Sequence, residues 1–307
     1  MEQPIMVSIV CNAYNHEKYI AQTLDGFVMQ KTRFPFEVLI HDDASTDKTA
    51  DIIRQYEKDY PHLIKPIYQT VNQYSQHISI SRTYQFPRAQ GKYIAYCEGD
   101  DFWTDPLKLQ KQTEALEKHL DVDMCAHRAS FMKDEVVVGE SVLKSDQIVP
   151  VEEVIKGGAS LFTTNTLMFR KSLLGSKNDY IRYFALDYIM QISGSLRGGM
   201  LYMGDCMSVY RQATAGSWTV RMSKDVEKRR KHSERVVKLL QQIDEETNRQ
   251  YTDAFQLVIK KSQFKQLLRE AKLKQALSKE YCICWKEYSL IQRLKLVCSM
   301  MCRLIRR

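Results

Sequence analysis

Three acidic side chains that could bind a metal ion follow one apolar run in this sequence. Residues 93–97 are apolar or aromatic, which is typical of a short buried strand, and Glu98, Asp100 and Asp101 come directly after them. Carboxylates spaced this closely repel one another, and a hard divalent cation would make their arrangement favourable. Mg²⁺ and Mn²⁺ take oxygen ligands and leave room for the phosphates of a substrate. We therefore expect one of these two cations here.

The acidic residues also have a simpler interpretation, as the turn that begins a helix. Asp105 and Pro106 resemble a helix start, with the aspartate as N-cap and the proline in the first helical position. We assign the capping role to Asp105, and a metal or substrate role to Asp100 and Asp101.

Strand-like and helix-like segments alternate along residues 1–120. Short connections between them predict parallel strands joined by right-handed crossovers, in an open, mostly parallel sheet flanked by helices. Ligands of such α/β sheets bind at the carboxyl ends of the strands. The polar loops that fall at this edge are 12–15, 42–43 and 98–101. The strands are predicted at 5–12, 36–40, 63–68 and 93–97, and the helices at 17–30, 48–60, 80–89 and 106–119.

The alternation ends near residue 121, and the next hundred residues have a mixed pattern. A helix is predicted at 187–196 among short strand candidates at 124–131, 136–138, 167–169, 200–203 and 207–211. From residue 223 onward the chain is helical and charged. We therefore divide it into a domain at 1–220, with halves 1–120 and 121–220, and a C-terminal extension at 221–307.

Three motifs in the first domain resemble those of glycosyltransferase family 2, in the family's order and spacing. They are Tyr14-Asn15-His16, Asp42-Asp43 and the Glu98-Gly-Asp-Asp-Phe-Trp-Thr-Asp segment. The resemblance covers residues 5 to about 220, and the last motif is similar to that of bacterial surface-polysaccharide members. It implies the GT-A nucleotide-sugar fold, with 1–120 as the nucleotide-sugar half and 121–220 as the acceptor half.

The resemblance also implies roles for the acidic residues. Asp43, with Asp42 beside it, falls on the aspartate that binds uracil, and a carboxylate can accept the N3–H of that base. Asp101 falls on the metal ligand. Asp100 is expected to contact the ribose or the metal, and Glu98 to belong to the same nucleotide-sugar site.

Further positions are implied around the nucleotide. Tyr14 and Asn15 lie where the family's first loop meets it. Arg82 is expected near the base or diphosphate, although a solvated arginine is an equal alternative. Arg211 is expected to close over the diphosphate together with residues 216–218.

The resemblance places the catalytic base on Asp187, which also has an ordinary interpretation as a helix N-cap. Relatives often have a histidine two residues after the arginine that matches Arg211, whereas this chain has Ala213. At this position the chain therefore lacks the histidine that can approach the metal or the diphosphate in relatives. Residues 163–166 fall in the part that lines the acceptor cleft in relatives.

The implied reaction is inverting transfer of a sugar from a nucleotide-diphosphate sugar, expected to be a UDP-sugar. The acceptor would be a hydroxyl of a glycan or lipid-linked molecule in cell-surface polysaccharide synthesis. One alternative is a non-catalytic sugar-nucleotide-binding assembly subunit. Another is a nucleotidyltransferase, although the glycine-rich phosphate loop usual in that class is missing from residues 11–20.

Positive charge is concentrated at the C-terminal end of the chain. Residues 221–307 contain 22 lysines and arginines against 10 acidic residues, a balance of +12, whereas residues 1–220 carry −4. Within 280–307, apolar residues recur at helical spacing among basic ones, which is typical of a helix lying on an anionic membrane. Packing of that helix against its own domain is the alternative. No nucleic-acid-binding motif accompanies the charge, so we expect no nucleic acid partner.

The sequence also carries expectations about the compartment. The N-terminus lacks the pattern of a signal peptide, and no apolar run is long enough to span a bilayer. The eight cysteines show no repeated pair spacing, so we expect them to be reduced. We expect a cytoplasmic protein at the inner face of the cell membrane.

Overall fold

Four parallel strands form the first part of one sheet in the computed structural model of this chain, which describes residues 3–183, 187–214, 220, 222 and 225–305. They lie in the order β3-β2-β1-β4, and each pairing between them is parallel. This arrangement follows from the alternation of strands and helices in the sequence. The elements are β1 (Val7–Ala13), α1 (Ile20–Val28), β2 (Phe36–Asp42), α2 (Thr49–Asp59), β3 (Ile64–Tyr68) and β4 (Tyr93–Tyr96).

The second part of the sheet contains both parallel and antiparallel pairs. It continues in the order β4-β9-β6-β10-β5, with β7 paired to β6 and β8 paired to β10. Strand β9 is antiparallel to both β4 and β6, whereas β10 is parallel to β6. The elements are β5 (Phe102–Trp103), α3 (Lys108–Lys118), β6 (Met124–Lys133), β7 (Val136–Glu140), β8 (Gln147–Val149), α4 (Val151–Gly157), β9 (Met168–Arg170), α5 (Asp187–Ser195) and β10 (Met200–Arg211).

The central strands are buried on both faces. Val7 and Ile9 of β1 belong to an apolar cluster that includes Leu24 and Phe27 of α1. Val10 of the same strand points to the opposite face and belongs to a second cluster. Apolar side chains on both sides of a strand are typical of parallel sheets covered by helices. The two clusters hold the ends of β1, β2 and β4 in fixed positions.

The helix after the acidic residues begins later than the sequence predicts. Helix α3 starts at Lys108, and the carboxylate of Asp105 accepts a hydrogen bond from the backbone N–H of Leu107 at 2.8 Å. The same carboxylate lies 2.8 Å from the amine of Lys111. Asp105 therefore closes a tight turn and binds a lysine inside the helix. The prediction that it is the N-cap, with Pro106 in the first helical position, was wrong by two residues.

Other predicted elements differ in detail. The helix predicted at 80–89 is a π-helical turn, Ser81–Gln85, followed by a 3₁₀ turn, Phe86–Arg88, that contains Pro87. Proline lacks the N–H that a continuing α-helix needs, which explains the change. The two strands predicted at 200–203 and 207–211 are one strand, β10, whose register against β6 shifts at an irregularity.

The chain divides into two compact units, residues 1–220 and 221–307. The second unit has its own apolar cluster, which includes Phe264, Trp285 and Met300. No helix in the described part of the chain is both long and apolar enough to cross a lipid bilayer. The helices of the second unit are Val226–Glu246, Thr252–Arg269, Leu273–Ala276, Cys282–Trp285 and Leu290–Ile305.

Candidate active site

The ends of β1, β2 and β4 are joined to one another by backbone hydrogen bonds. The N–H of Asp43, after β2, donates to the carbonyl of Ala13 at 2.9 Å, and the N–H of Gly99, after β4, donates to the carbonyl of Asn12 at 3.0 Å. The three polar loops predicted from the sequence therefore lie together at one edge of the sheet. This is the edge where ligands bind in sheets of this type.

The acidic loop, residues 98–101, packs so closely against the first loop that Gly99 has little room for a side chain. A Cβ atom on Gly99 would lie 2.8 Å from Nδ1 of His16, in the loop that follows β1. The hydroxyl of Thr23, on α1, lies 3.1 Å from the carbonyl oxygen of Gly99 and 2.6 Å from that of Asp101. Close packing and this hydroxyl hold the acidic loop against the first loop and α1.

Asp101 is the buried carboxylate of the acidic loop. Its side chain is 1% exposed, and Oδ1 accepts a hydrogen bond from the backbone N–H of Arg211 at 2.8 Å. Oδ2 has no hydrogen-bond partner among the described residues. Burial, and next the negative charge of Asp100, raise the pKa of Asp101 well above its usual range. An unpaired buried carboxylate oxygen is costly, and a cation bound to it would remove that cost.

Asp100 and Arg211 are tied to each other at the end of β10. The guanidinium of Arg211 donates to the carbonyl oxygen of Asp100 at 2.8 Å, and it also hydrogen-bonds Gln22 on α1. Its central carbon lies 4.5 Å from the centre of the Phe102 ring. The hydroxyl of Thr214 donates to Oδ2 of Asp100 at 2.7 Å. Arg211 thus links the backbone of the acidic loop to α1. Its contact with a diphosphate stays a prediction.

Asp187 lies at the start of α5, and its charge acts on the acidic loop. The side chain is exposed, and its Oδ2 accepts a hydrogen bond from the hydroxyl of Thr164 at 2.7 Å. Protein surrounds the carboxyl group closely enough that desolvation raises the pKa of Asp187. Desolvation, followed by the charges of Asp187 and Asp100, raises the pKa of Glu98. The structure therefore brings the predicted base and the predicted metal loop into one acidic site.

The two aspartates after β2 differ in how their oxygens are used. Both oxygens of Asp43 accept backbone N–H groups, from Gln73 at 2.7 Å and from Tyr74 at 3.0 Å. In Asp42, Oδ2 accepts the N–H of Ser45 at 3.2 Å, and Oδ1 is buried without a partner among the described residues. Burial raises the pKa of Asp42. Asp43 is held by the loop around residues 72–74, whereas Asp42 keeps one oxygen unpaired.

The remaining predicted nucleotide residues lie around this edge. Tyr14 is 38% exposed. Asn15 has a left-handed backbone with φ 56°, and its side-chain oxygen accepts the N–H of Thr46 at 2.8 Å, so it links the first and second loops. Arg82 lies 3.6 Å from the carboxylate of Asp179 in the acceptor half. Residues 216–218, predicted to close over the diphosphate, are outside the described residues.

The sequence analysis missed a polar network next to the acidic loop. The side-chain amide of Asn12, in β1, donates to the Tyr96 hydroxyl at 2.5 Å and to the Ser81 hydroxyl at 3.0 Å. Its Oδ1 is buried without a partner among the described residues. The position of Asn12 at the carboxyl end of β1 was the one available signal. The contact of Thr164 with Asp187 gave no sequence signal, because 23 residues separate the two.

The residues present fit a divalent cation that takes part of its coordination from outside the protein. Among the described residues, no group of three or more histidines, cysteines, aspartates or glutamates is arranged around one metal position. Asp101 and Asp100 would therefore supply the protein ligands, with Oδ2 of Asp101 already unpaired. Mg²⁺ commonly binds through one or two carboxylates together with substrate phosphates and water.

Comparison with known protein families identifies the family of this chain. The sequence model described as Glycosyl transferase family 2 matches residues 8–174, which is more than half of the chain. The chain belongs to glycosyltransferase family 2. The family predicted from the three motifs is thereby confirmed, and all three lie inside the matched range.

Curated relatives of this family 2 chain match over part of their length. A protein of Mycobacterium tuberculosis, uncharacterized protein Rv1520, is 34% identical over 223 residues, which is 69% of this chain and 60% of that protein. The putative glycosyltransferase EpsE of Bacillus subtilis is 30% identical over 57% of this chain and 59% of its own length. The chain thus spans about 60% of the length of these relatives.

Solved structures similar to this family 2 chain establish its fold. TarS residues 1–349 from S. aureus, in complex with UDP-GlcNAc, has a TM-score of 0.60 and 18% identity, covering 88% of this chain and 73% of that one. The mannosyltransferase PcManGT from Pyrobaculum calidifontis, in complex with GDP-Man and Mn²⁺, has a TM-score of 0.50 and 17% identity, covering 79% and 66%. The predicted GT-A fold is confirmed.

Proposed function

We propose that this chain transfers a sugar from a UDP-sugar to a hydroxyl group, with inversion at the anomeric carbon. The acceptor is a glycan or lipid-linked molecule in cell-surface polysaccharide synthesis. Family membership supports glycosyl transfer. The similar TarS structure contains UDP-GlcNAc, and a putative teichuronic acid biosynthesis glycosyltransferase, TuaG of Bacillus subtilis, is 37% identical over 36% of the chain.

One observation carries the proposal: the acidic loop has a buried, unpaired carboxylate oxygen on Asp101, and the charge of Asp187 acts on Glu98 of the same loop. A protein without a cationic ligand gains nothing from collecting these charges at a strand end, because the charges repel one another and are costly to bury. A nucleotide diphosphate with a divalent cation would supply both the positive charge and the phosphate oxygens. The site therefore suits a metal-bound nucleotide sugar.

The metal is assigned to Asp101 and Asp100. A bound Mg²⁺ or Mn²⁺ would stabilise the negative charge that develops on the departing diphosphate. The protein's own part is to hold these carboxylates in place through the backbone N–H of Arg211 and the hydroxyl of Thr214. The guanidinium of Arg211 does the same for the backbone of the acidic loop.

The nucleotide is assigned to the edge formed by the first two loops. Asp43 would read the N3–H of uracil, because each of its oxygens accepts one backbone N–H and keeps further acceptor capacity. Asp42, with its unpaired Oδ1, lies beside it. Tyr14, which is exposed, and Asn15, which links the first and second loops, are also assigned to the nucleotide.

Asp187 is assigned as the general base. Its carboxylate takes the proton of the acceptor hydroxyl while the hydroxyl oxygen attacks the anomeric carbon. The bond from that carbon to the diphosphate oxygen breaks on the opposite face, and its electron pair leaves with UDP. The exposure of Asp187 lets an acceptor reach it. General base catalysis of this kind contributes about 10²–10⁴-fold to the rate.

The Asp187→Asn variant tests this function. We expect transfer to fall by about 10²–10⁴-fold while UDP binding stays near that of the wild type, because the amide keeps the shape but loses the proton-accepting charge. The same substitution at exposed Asp121 is the matched control. Turnover of Asp187→Asn within threefold of the wild type would place the base elsewhere. A wild-type chain that neither transfers nor hydrolyses any UDP-sugar would instead support a non-catalytic assembly subunit.

The exposed face of the terminal helix, Leu290–Ile305, supports a place for the enzyme at an anionic membrane. Val297 and Met300 pack into the apolar cluster of the C-terminal unit, as does Leu296. The same helix exposes a second apolar face, in which Ile291 is 67% and Leu294 is 58% exposed. We assign this face to the inner surface of the cell membrane, because it belongs to residues 221–307, whose net charge is +12.

The double variant Ile291→Gln/Leu294→Gln tests membrane contact without removing buried side chains. We expect it to sediment less than the wild type with anionic liposomes, and salt to release the wild type, because screening weakens attraction to the lipid charge. Leu120→Gln/Val142→Gln changes two apolar residues of the other unit, 65% and 85% exposed, and serves as control. Equal sedimentation of all three proteins would exclude the terminal helix as the membrane contact.

A further inference from the structure

A buried turn connects the metal side of the site with the base. Residues Thr164–Thr166 form a 3₁₀ turn just before β9, and Asn165 within it is fully buried. The carbonyl of Asn165 accepts the indole N–H of Trp103 at 2.9 Å, and its side-chain amide donates to the carbonyl of Val209 at 2.8 Å. Trp103 is two residues after Asp101. The turn is therefore fastened to both strands that support the acidic loop, β5 and β10.

Thr164 extends from this fixed turn to Asp187. Its side chain is 4% exposed, and its hydroxyl donates to Oδ2 of Asp187 at 2.7 Å. A carboxylate at the start of a helix can otherwise rotate among several orientations, since the bond to its carboxyl group has a broad torsional preference. A hydrogen bond from a buried and immobile hydroxyl selects one of them.

We propose that Thr164 is the positioning residue of the catalytic base, turning the Asp187 carboxylate so that Oδ1 accepts the proton of the acceptor hydroxyl. This inference rests on the proposed function, in which Asp187 is that base. The bonds made and broken in the transfer step are unchanged. Thr164 keeps its own proton throughout, and its role is to hold Oδ2 while Oδ1 reacts.

The effect of Thr164 on the pKa of Asp187 gives a way to measure its positioning role. Desolvation by the surrounding protein raises the pKa of Asp187, and the Thr164 hydrogen bond opposes that rise because it stabilises the charged carboxylate. Among the described residues, the charge of Asp187 raises the pKa of the Glu98 carboxyl and of the Tyr96 and Tyr210 hydroxyls. Losing the Thr164 hydroxyl should raise the pKa of Asp187 further. The acid limb of the pH–rate profile should then move to higher pH.

The test compares full-length Thr164→Val, Thr164→Ser and wild type under saturating UDP-sugar and metal. Valine keeps the shape of threonine without the hydroxyl, and serine keeps the hydroxyl. We expect Thr164→Val to lose about 10- to 100-fold in kcat, the range expected for a hydrogen bond to a charged group, with little change in donor KM. Its acid limb should shift upward, and Thr164→Ser should restore both properties.

The controls separate this inference from the function on which it rests. Thr113→Val removes the hydroxyl of another buried threonine, on α3, and should leave the pH profile unchanged. If Asp187→Asn is inactive while Thr164→Val keeps the wild-type kcat and acid limb, the positioning role is wrong and the base assignment stands. If Asp187→Asn is active, the base assignment itself fails. Should Thr164→Val not fold, Thr164→Ala against Thr164→Ser makes the same comparison.

Discussion

Lys108 is a buried amine whose hydrogen-bond acceptor is the neutral amide of Gln112, and replacing this lysine should make the protein more stable at neutral pH. The side chain is fully buried at the start of α3, with its Nζ 2.6 Å from Oε1 of Gln112 and 3.8 Å from the centre of the Trp103 ring. The charge of Asp105 favours the protonated amine, but its effect is smaller than that of burial. Burial lowers the pKa of Lys108 from 10.5 to about 7, because the charged form loses its water.

The size of the stability change follows from the difference between the pKa of Lys108 in the folded chain and in the unfolded chain. The unfolded chain binds a proton on this lysine below pH 10.5, whereas the folded chain does so only below about pH 7. The free energy of unfolding therefore falls as the pH drops from 10.5 towards 7, and the loss stays constant at lower pH. At pH 7 the ionisation cost is about 4 kcal/mol, and at pH 10 it is about 1 kcal/mol. Lys108→Met removes this cost but leaves Oε1 of Gln112 without its donor, which costs about 1–3 kcal/mol.

The free energy of unfolding of Lys108→Met should therefore be about 1–3 kcal/mol higher than that of the wild type at pH 7. At pH 10 it should be equal to that of the wild type or lower. Urea unfolding followed by tryptophan fluorescence at the two pH values measures this. Lys111→Met is the control, because that amine is partly exposed and pairs with Asp105, so its removal should cost less than about 1 kcal/mol. A difference between Lys108→Met and wild type that does not change with pH would show that burial does not govern this amine.

Two further substitutions test the acidic loop. Asp101→Ala should abolish the gain in UDP affinity on adding Mn²⁺, measured by calorimetric titration, while leaving the free energy of unfolding at or above that of the wild type. Wild-type affinity with Mn²⁺ would contradict the metal assignment. Gly99→Ala should raise the KM for the donor, because the new Cβ would lie 2.8 Å from Nδ1 of His16 and push the first loop from the acidic loop. An unchanged KM would show that the first loop does not contact the nucleotide.

The convergence of the polar loops was predictable from the sequence for a topological reason. Parallel strands that are neighbours in a sheet end at the same edge, so residues after β1, β2 and β4 must meet there once the strand–helix alternation is recognised. Asp43 directly follows β2, and Asp101 lies in the short loop between β4 and β5, so both lie at this edge. The motifs added the identity of the family, which alternation alone does not give.

The pairings that hold the site together could not be predicted in the same way. Strand β5 has only Phe102 and Trp103, and two residues carry no periodicity that would separate a strand from a turn. Its existence depends on pairing with Ser208 and Val209, more than a hundred residues later. The role of Arg211 also depends on a contact between distant residues, because only the fold shows that its guanidinium binds the backbone of the acidic loop.

Asp101 and Asp42 share a pattern of hydrogen bonding, whereas both oxygens of buried Asp43 accept backbone N–H groups. One oxygen of Asp101 accepts the N–H of Arg211, and one oxygen of Asp42 accepts the N–H of Ser45. In each residue the other oxygen is buried and has no partner among the described residues. A backbone N–H has no net charge, so it fixes a carboxylate without forming an ion pair. The guanidinium of Arg211 also favours the charged form of Asp101, but burial and the charge of Asp100 act in the opposite direction. In the proposed function, the unpaired oxygen of Asp101 would bind the cation of the donor, and the unpaired oxygen of Asp42 lies on the nucleotide side of the site.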